Sequence, residues 1–270
     1  MGKCICVTCG VQYKEAPEPP NSCPVCQDER QYVGWKGQQW TTLEEMQHQG
    51  FRNEFHEEEH GLTSVLTVPE FAIGQRALLV QTPSGNLLWD CVTYLDEQTV
   101  KELRARGGIQ AIAISHPHYY SSMVEWGQAF DAPIYLNIAD RKWVMHPSPR
   151  IRFWEGDSTK PLPDIELVRL GGHFDGGTVC YWPEGADGRG VLLSGDIITV
   201  VMDRRWVSFM YSYPNLVPLS AASVDEIAAS INHYRYDRIY GAFAGRQIMA
   251  GAAEAVQRSA KRYVGHLHSA

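Results

Sequence analysis

From about residue 60 onward the chain is organised as short apolar runs separated by turn residues. Residues 64–74 (SVLTVPEFAIG), 76–91 (RALLVQTPSGNLLWDC) and 108–116 (GIQAIAISH) carry strand-like runs. TPSGN lies between two apolar arms of the second run and predicts a hairpin. Residues 100–108 (VKELRARGG) have helical spacing closed by glycine. Residues 121–130 predict another helix, and residues 132–138 the strand after it. The second half repeats the theme. IELVRL, TVCYW and GVLLSGD predict strands, residues 223–234 a helix, residues 237–243 a strand, and residues 246–264 a covering helix. Thr42 opens a shorter helical pattern. Strand-rich halves with interspersed helices imply an α/β layered sandwich.

Composition narrows the class. A length of 270 residues suits one medium domain with a small appendage, and 44% hydrophobic residues support a sizeable core. The net charge of −7 and pI of about 5.8, with no basic tract, argue against a nucleic-acid partner. No apolar stretch approaches the ~20 residues of a membrane span. Residues 1–10 (MGKCICVTCG) lack the apolar segment of a signal peptide. The expectation is a soluble cytoplasmic protein without a membrane partner; a homo-oligomer is left open.

The cysteines divide the chain in two. Five of the seven lie in the first 26 residues. Cys6, Cys9, Cys23 and Cys26 have the spacing C-x2-C-x13-C-x2-C, which brings two pairs of thiolates to one ion. Residues 15–22 (EAPEPPNS) form an irregular loop between the pairs, so the ion would supply folding energy. The pattern resembles zinc ribbons and rubredoxin-like knuckles. Residues 1–35 are therefore assigned to a Cys4 head and residues 36–270 to the main domain. Zinc is the expected ion and iron the alternative. Cys4 is a spare that competes with Cys6.

Three loops at the ends of apolar strands carry further ligand candidates: His116 and His118 around Pro117, His173 in GGHFDGG, and Asp196 in SGDII. Pro117 helps fix a bend between the two imidazoles, and the glycines before His173 permit close backbone approach. These loops resemble the metallo-β-lactamase fold superfamily over roughly residues 50–270. Its hallmark is His-x-His-x-Asp-His, then a Gly-His turn, a Gly-Asp turn and a final His. The resemblance implies an αββα sandwich with metal at the sheet edges. His116, His118, His173 and Asp196 match. Tyr120 and Ser121 replace the hallmark Asp and His, and Ala242-Phe243 stand where the final His belongs. The second metal site is thus lost as a unit, and a one-metal centre is expected.

The expected activity is hydrolysis of a small ester, thioester, lactone or phosphoester, of which an anionic substrate is one form, with one zinc activating water. Asp196 is both ligand and catalytic candidate. Asp175 is the nearest spare carboxylate and a candidate base, against a plain turn role. Tyr120, or Tyr119, is a candidate oxyanion donor, against ordinary packing. Two alternatives stand beside this reading: a mononuclear iron oxygenase using His116, His173 and Asp196, and a binding protein in which the ion is structural. His56-Glu57-Glu58-Glu59-His60 fits H-E-x-x-H, but its acidic surroundings predict a solvated segment. In residues 202–220, Arg204 and Arg205 are candidate anion binders, and Trp206, Phe209, Tyr211 and Tyr213 candidate pocket walls.

Overall fold

The computed structural model describes residues 2–268. Its apolar strands pair into two sheets. The first has seven strands in spatial and chain order: Arg52–Glu59, Leu62–Val68, Ala77–Thr82, Gly85–Trp89, Ala111–Ala113, Ile134–Asn137 and Ile151–Trp154. Its first pairings are antiparallel, and the last three are parallel. The second sheet runs Ser158–Leu162, Ile165–Arg169, Thr178–Trp182, Val191–Gly195, Arg238–Gly241 and Gln247–Ile248. Parallel neighbours need crossovers, and helices supply them. Glu97–Ala105 and Met123–Phe130 serve the first sheet, and Ala221–Ile231 the second.

Alternation along the strands decides the layering. Leu78, Val80, Leu87 and Trp89 meet Leu167, Cys180, Trp182 and Leu193 between the sheets. The opposite faces bury Leu79, Leu88 and Ile112 under Trp126 and Leu103, and Val168, Val179 and Leu192 under Ile227 and Val256. The result is the expected αββα sandwich. No helix among the described residues is long and apolar enough to cross a membrane.

Several boundaries differ from the sequence expectation. The last helix starts at Ala252, because Gln247–Ile248 pair as an edge strand and Gly251 turns the chain at positive φ. The strand expected over 64–74 ends at Val68, before Pro69. Ile151–Trp154 and Ser158–Leu162 are strands with mixed exposure, so their apolar pattern is weak. H-E-x-x-H falls on the edge strand Arg52–Glu59, not on a helix, and His56 is exposed. Its neighbours are only partly solvated. Glu58 Oε1 lies 2.7 Å from Arg76 Nη1. Glu59 pairs with Arg238 and accepts from Tyr240 Oη at 2.7 Å, which ties the two sheets together.

The cysteine head is built onto the body. Ile5–Cys6 pair with Trp40–Thr41, so the head's sheet extends past residue 35. Thr42 and Glu45 form a reciprocal cap on the helix Leu43–His48. Val11, Tyr13 and Val25 join the apolar cluster that holds Met123 and Trp126. Gln12 N–H donates to Ser121 O at 3.0 Å, and Lys3 pairs with Glu125 at 2.7 Å.

The Arg76 side chain is fully buried and also donates to Gly241 O at 3.1 Å. Removing one partner of a buried pair strands the other charge, at a cost of about 3 kcal/mol. We expect Arg76→Ala to lower stability by about that much in denaturant titration. Arg52→Ala, which breaks the exposed Arg52–Glu54 pair, should change it by less than about 0.5 kcal/mol.

Candidate metal centre

The centre forms where strands of both sheets end. Ala111–Ala113 leads into Ser115-His116, and a 3-10 turn over Pro117–Tyr119 places His118 beside His116, ring centroids 5.2 Å apart. Ile165–Arg169 leads to His173, and Val191–Gly195 to Asp196. The loops are stitched together. Thr178 N–H donates to Ser115 O at 2.9 Å, and Ser115 N–H donates to Asp90 Oδ1 at 2.8 Å. Gly195 has φ 54°, and a Cβ there would lie 2.6 Å from Ser115 Oγ. Only glycine lets the Asp196 loop come this close.

Two of the imidazoles have a defined outer partner, and His118 Nε2 is buried without one. His116 Nδ1 is 2.9 Å from Ser115 Oγ, which turns Nε2 inward. His173 Nδ1 donates to Tyr211 O at 2.7 Å, so its Nε2 lone pair faces His118 Nδ1 at 3.1 Å. Tyr119 Oη donates to Asp196 Oδ2 at 2.8 Å, and Tyr213 Oη donates to the Asp196 carbonyl. Asp196 Oδ1 and His116 Nε2 lie 3.4 Å apart, both buried and both without a hydrogen-bond partner. With ligand bonds of 2.0–2.1 Å, the edge of a tetrahedron is about 3.4 Å. His116, His118 and His173 each bring a ring nitrogen within 4.8 Å of the other two, close enough to share one ion, and Asp196 Oδ1 lies beside the His116 nitrogen.

Electrostatics agree with that fit. Burial pushes the pKa of His116 and His118 well below the ordinary imidazole value, and the neighbouring imidazoles push it further. Burial lowers that of His173 as well. Neutral rings present lone pairs. Burial raises the pKa of Asp196, opposed by His173 and the Tyr119 hydroxyl. Asp90 is lifted to about 7, mainly by burial.

Other sequence candidates lie elsewhere. Asp175 is exposed on the turn after His173, and its carbonyl accepts from Arg169 Nε at 2.9 Å; it is a turn residue and not a base beside the ligands. Tyr120 is buried in the first outer core, with Asp140 as its charged neighbour. The tyrosine that meets the centre is Tyr119, 4.3 Å from the His116 ring. The one-residue offset follows from the 3-10 turn, which sends adjacent side chains in different directions. Ser121 bonds to Cys91 O and Gln75 within the core. Arg204 and Arg205 are exposed, Arg205 pairing with Asp203. Trp206 stacks under Arg262 and Phe209 is core, whereas Tyr211 and Tyr213 reach the centre.

Three contributors escaped the sequence reading. Asp90 ends a strand much as the ligands do, a signal that was present. Phe174 touches all three imidazole rings, with centroids 4.8–5.5 Å away. Arg30 comes from the head, and no sequence pattern links it to the centre.

Beside the Asp196 loop lies a cavity of about 380 Å³, bordered by Gly195, Tyr213, Met210, Phe243 and Arg246. Ala242, at the position of the absent final His, is part of its wall.

In the head, Cys6 and Cys26 sulfurs lie 3.5 Å apart and those of Cys9 and Cys23 3.7 Å apart. These distances exclude disulfides, and they approach the roughly 3.8 Å edge of a tetrahedron with 2.3 Å metal–sulfur bonds. Gln38 Nε2 donates to Cys6 Sγ at 3.3 Å. Cys4 is buried apart from the four-thiol group.

Comparison with known proteins places this architecture. The chain is 54% identical over 266 residues to a Bacillus subtilis (strain 168) protein described as "Uncharacterized protein YmaE", covering 98% of this chain and 97% of that one. The chain belongs to the YmaE family. Among solved structures it resembles the metallo-β-lactamase DIM-1, with TM-score 0.60 and 14% identity over 78% of this chain and 98% of that one. TMB-1 gives TM-score 0.58 and 12% identity over 80% and 98%. VMB-1 gives 0.59 and 13% over 80% and 98%. These structural likenesses establish a metallo-β-lactamase fold. No family model matches the chain.

His116→Ala should remove one metal ion per chain in elemental analysis and leave the cysteine-bound ion in place. Cys23→Ser should release the head's ion and destabilise the head, and a head that stays folded and metal-bound in that variant would refute the four-cysteine site. A metal content unchanged by His116→Ala would refute the centre.

Proposed function

We propose that the chain is a metal-dependent hydrolase with one ion among His116, His118, His173 and Asp196. The observation that carries this reading is the buried, unpartnered pair His116 Nε2 and Asp196 Oδ1; the neighbouring cavity is bordered by Gly195 and Tyr213, which flank and fix Asp196. The proposed substrate is a small ester, thioester, lactone or phosphoester. The cavity's apolar members, Val201, Met210, Leu216 and Phe243, favour an apolar portion, and Arg246 favours an anionic group. A third imidazole next to His118 favours zinc over a two-histidine iron site. Free, clustered thiols in the head suit a reducing compartment, in keeping with the cytoplasm.

When bound, zinc supplies Lewis acidity and lowers the pKa of a water ligand toward 7. The chain's own residues do the rest. The Tyr119 hydroxyl occupies Asp196 Oδ2 and leaves Oδ1 directed at the centre. The Tyr213 hydroxyl fixes the Asp196 backbone. Ser115 and Tyr211 select the inward-facing nitrogens of His116 and His173. Phe174 excludes water from one side of the rings. Arg246 holds the substrate's charge at the cavity.

A second reading draws on burial. His116, His118, His173 and Asp196 are each no more than 5% exposed, which also suits a structural ion in a binding protein. Assay of the zinc-loaded chain against ester, thioester, lactone and phosphoester panels separates the two. Turnover is expected, with Asp196→Asn lowering kcat by about 100-fold or more in a folded protein. Arg246→Ala should raise KM about ten-fold for anionic substrates and leave kcat nearly unchanged. A fully metallated chain inert across the panel would support the structural-ion reading.

A further inference from the structure

The cysteine head reaches the histidine centre through a short, rigid path. The helix Pro24–Gln27 contains Cys26, and Asp28 N–H closes it on Pro24 O at 3.1 Å. Asp28 then grips Arg30, with Nε to Oδ1 at 2.6 Å and Nη2 to Oδ2 at 2.9 Å. This bidentate fork fixes the guanidinium plane. Its carbon lies 4.1 Å from the centre of the Phe174 ring, and Nη1 donates to His173 O at 3.4 Å. Phe174 packs in turn against all three imidazoles. The order across this wall is therefore head, Arg30, Phe174, ligands.

A second path runs through the backbone. Ser212 Oγ donates to Arg30 O at 3.0 Å, and Asn215 Nδ2 donates to Glu29 O and Gln31 O at 3.0 and 3.1 Å. The Tyr211 hydroxyl donates to Glu29. The head thus clamps the loop whose Tyr211 carbonyl orients His173 and whose Tyr213 hydroxyl orients Asp196.

We infer that residues 28–31 position the histidine centre, so that metal binding at the four cysteines strengthens metal binding at the histidines. This inference rests on the proposed metal site at His116, His118, His173 and Asp196. Arg30 is a positioning residue: it touches Phe174 and a ligand's carbonyl, not the ion. Direct electrostatics oppose such placement, because a guanidinium near a cation site repels the cation. Asp28 offsets part of that repulsion, and the guanidinium lies over the Phe174 ring. Coupling of this kind is reciprocal, so an ion at the histidines also tightens the head.

Cobalt(II) titration of the full chain, freed of metal, tests the inference. Thiolate-to-cobalt absorption reports the cysteine head, and weaker d–d bands with total stoichiometry report the histidine centre. Wild type is expected to bind two cobalt ions. Arg30→Ala should keep the thiolate absorption at full intensity and weaken the second ion about ten-fold or more. Arg30→Lys should not restore it, because an ammonium lacks the planar fork and face. Tyr211→Phe keeps the carbonyl and loses only the Glu29 link, so it should shift the second affinity in the same direction and by less. Cys23→Ser should weaken both ions. An unchanged or tighter second ion in Arg30→Ala, with the thiolate absorption intact, would overturn the inference and leave the metal site standing. A wild-type chain that binds one cobalt, with thiolate absorption alone, would overturn the metal site and the inference together.

Discussion

Burying a carboxylate among imidazoles is expensive unless a cation joins them. Asp196 and the three histidines sit where two sheets and their helices have excluded water. Unpaired polar atoms in such a place cost several kcal/mol. The chain keeps His116 Nε2 and Asp196 Oδ1 unpaired while satisfying the opposite sides of both groups with Ser115 and Tyr119. That asymmetry is the mark of ligands arranged for an ion. The strand ends, the glycine at position 195 and the Asp90 support all serve the same few ångströms.

Tyr120 and Ser121 turn inward and become packing, and Ser121 accepts a bond from the head through its carbonyl. Ala242 leaves space that becomes part of a cavity wall. A fold of this kind hosts many reactions, so its chemistry resides in the side chains it carries and not in the fold itself.

Much of this was legible in the amino-acid order, for definable reasons. The layered α/β sandwich follows from short apolar runs interspersed with helical segments, and the ligand loops announced themselves as His, Gly and Asp at strand ends. Cys6, Cys9, Cys23 and Cys26 were legible because thiolate pairs need fixed spacing. Where the reading failed, the deciding contacts were distant in sequence. Arg30 meets Phe174 across more than a hundred residues, and no local period encodes that meeting. The choice between Tyr119 and Tyr120 depends on a single 3-10 turn, which residue types alone do not specify. Gln247–Ile248 pair as a strand because Arg238–Gly241 offers an open edge, against a local helical pattern.

The acidic strand Arg52–Glu59 borders the seven-stranded sheet and has a neighbour on one side only. An open backbone edge of that length is a template for pairing with another molecule. Here it reads RNEFHEEE. Two such edges laid antiparallel in full register would set Glu54 of each copy against Glu57 of the other, while Glu58 and Glu59 are already committed to Arg76 and Arg238 within their own chain. Charged side chains spaced along an open edge discourage continuous sheets from growing between molecules at this border.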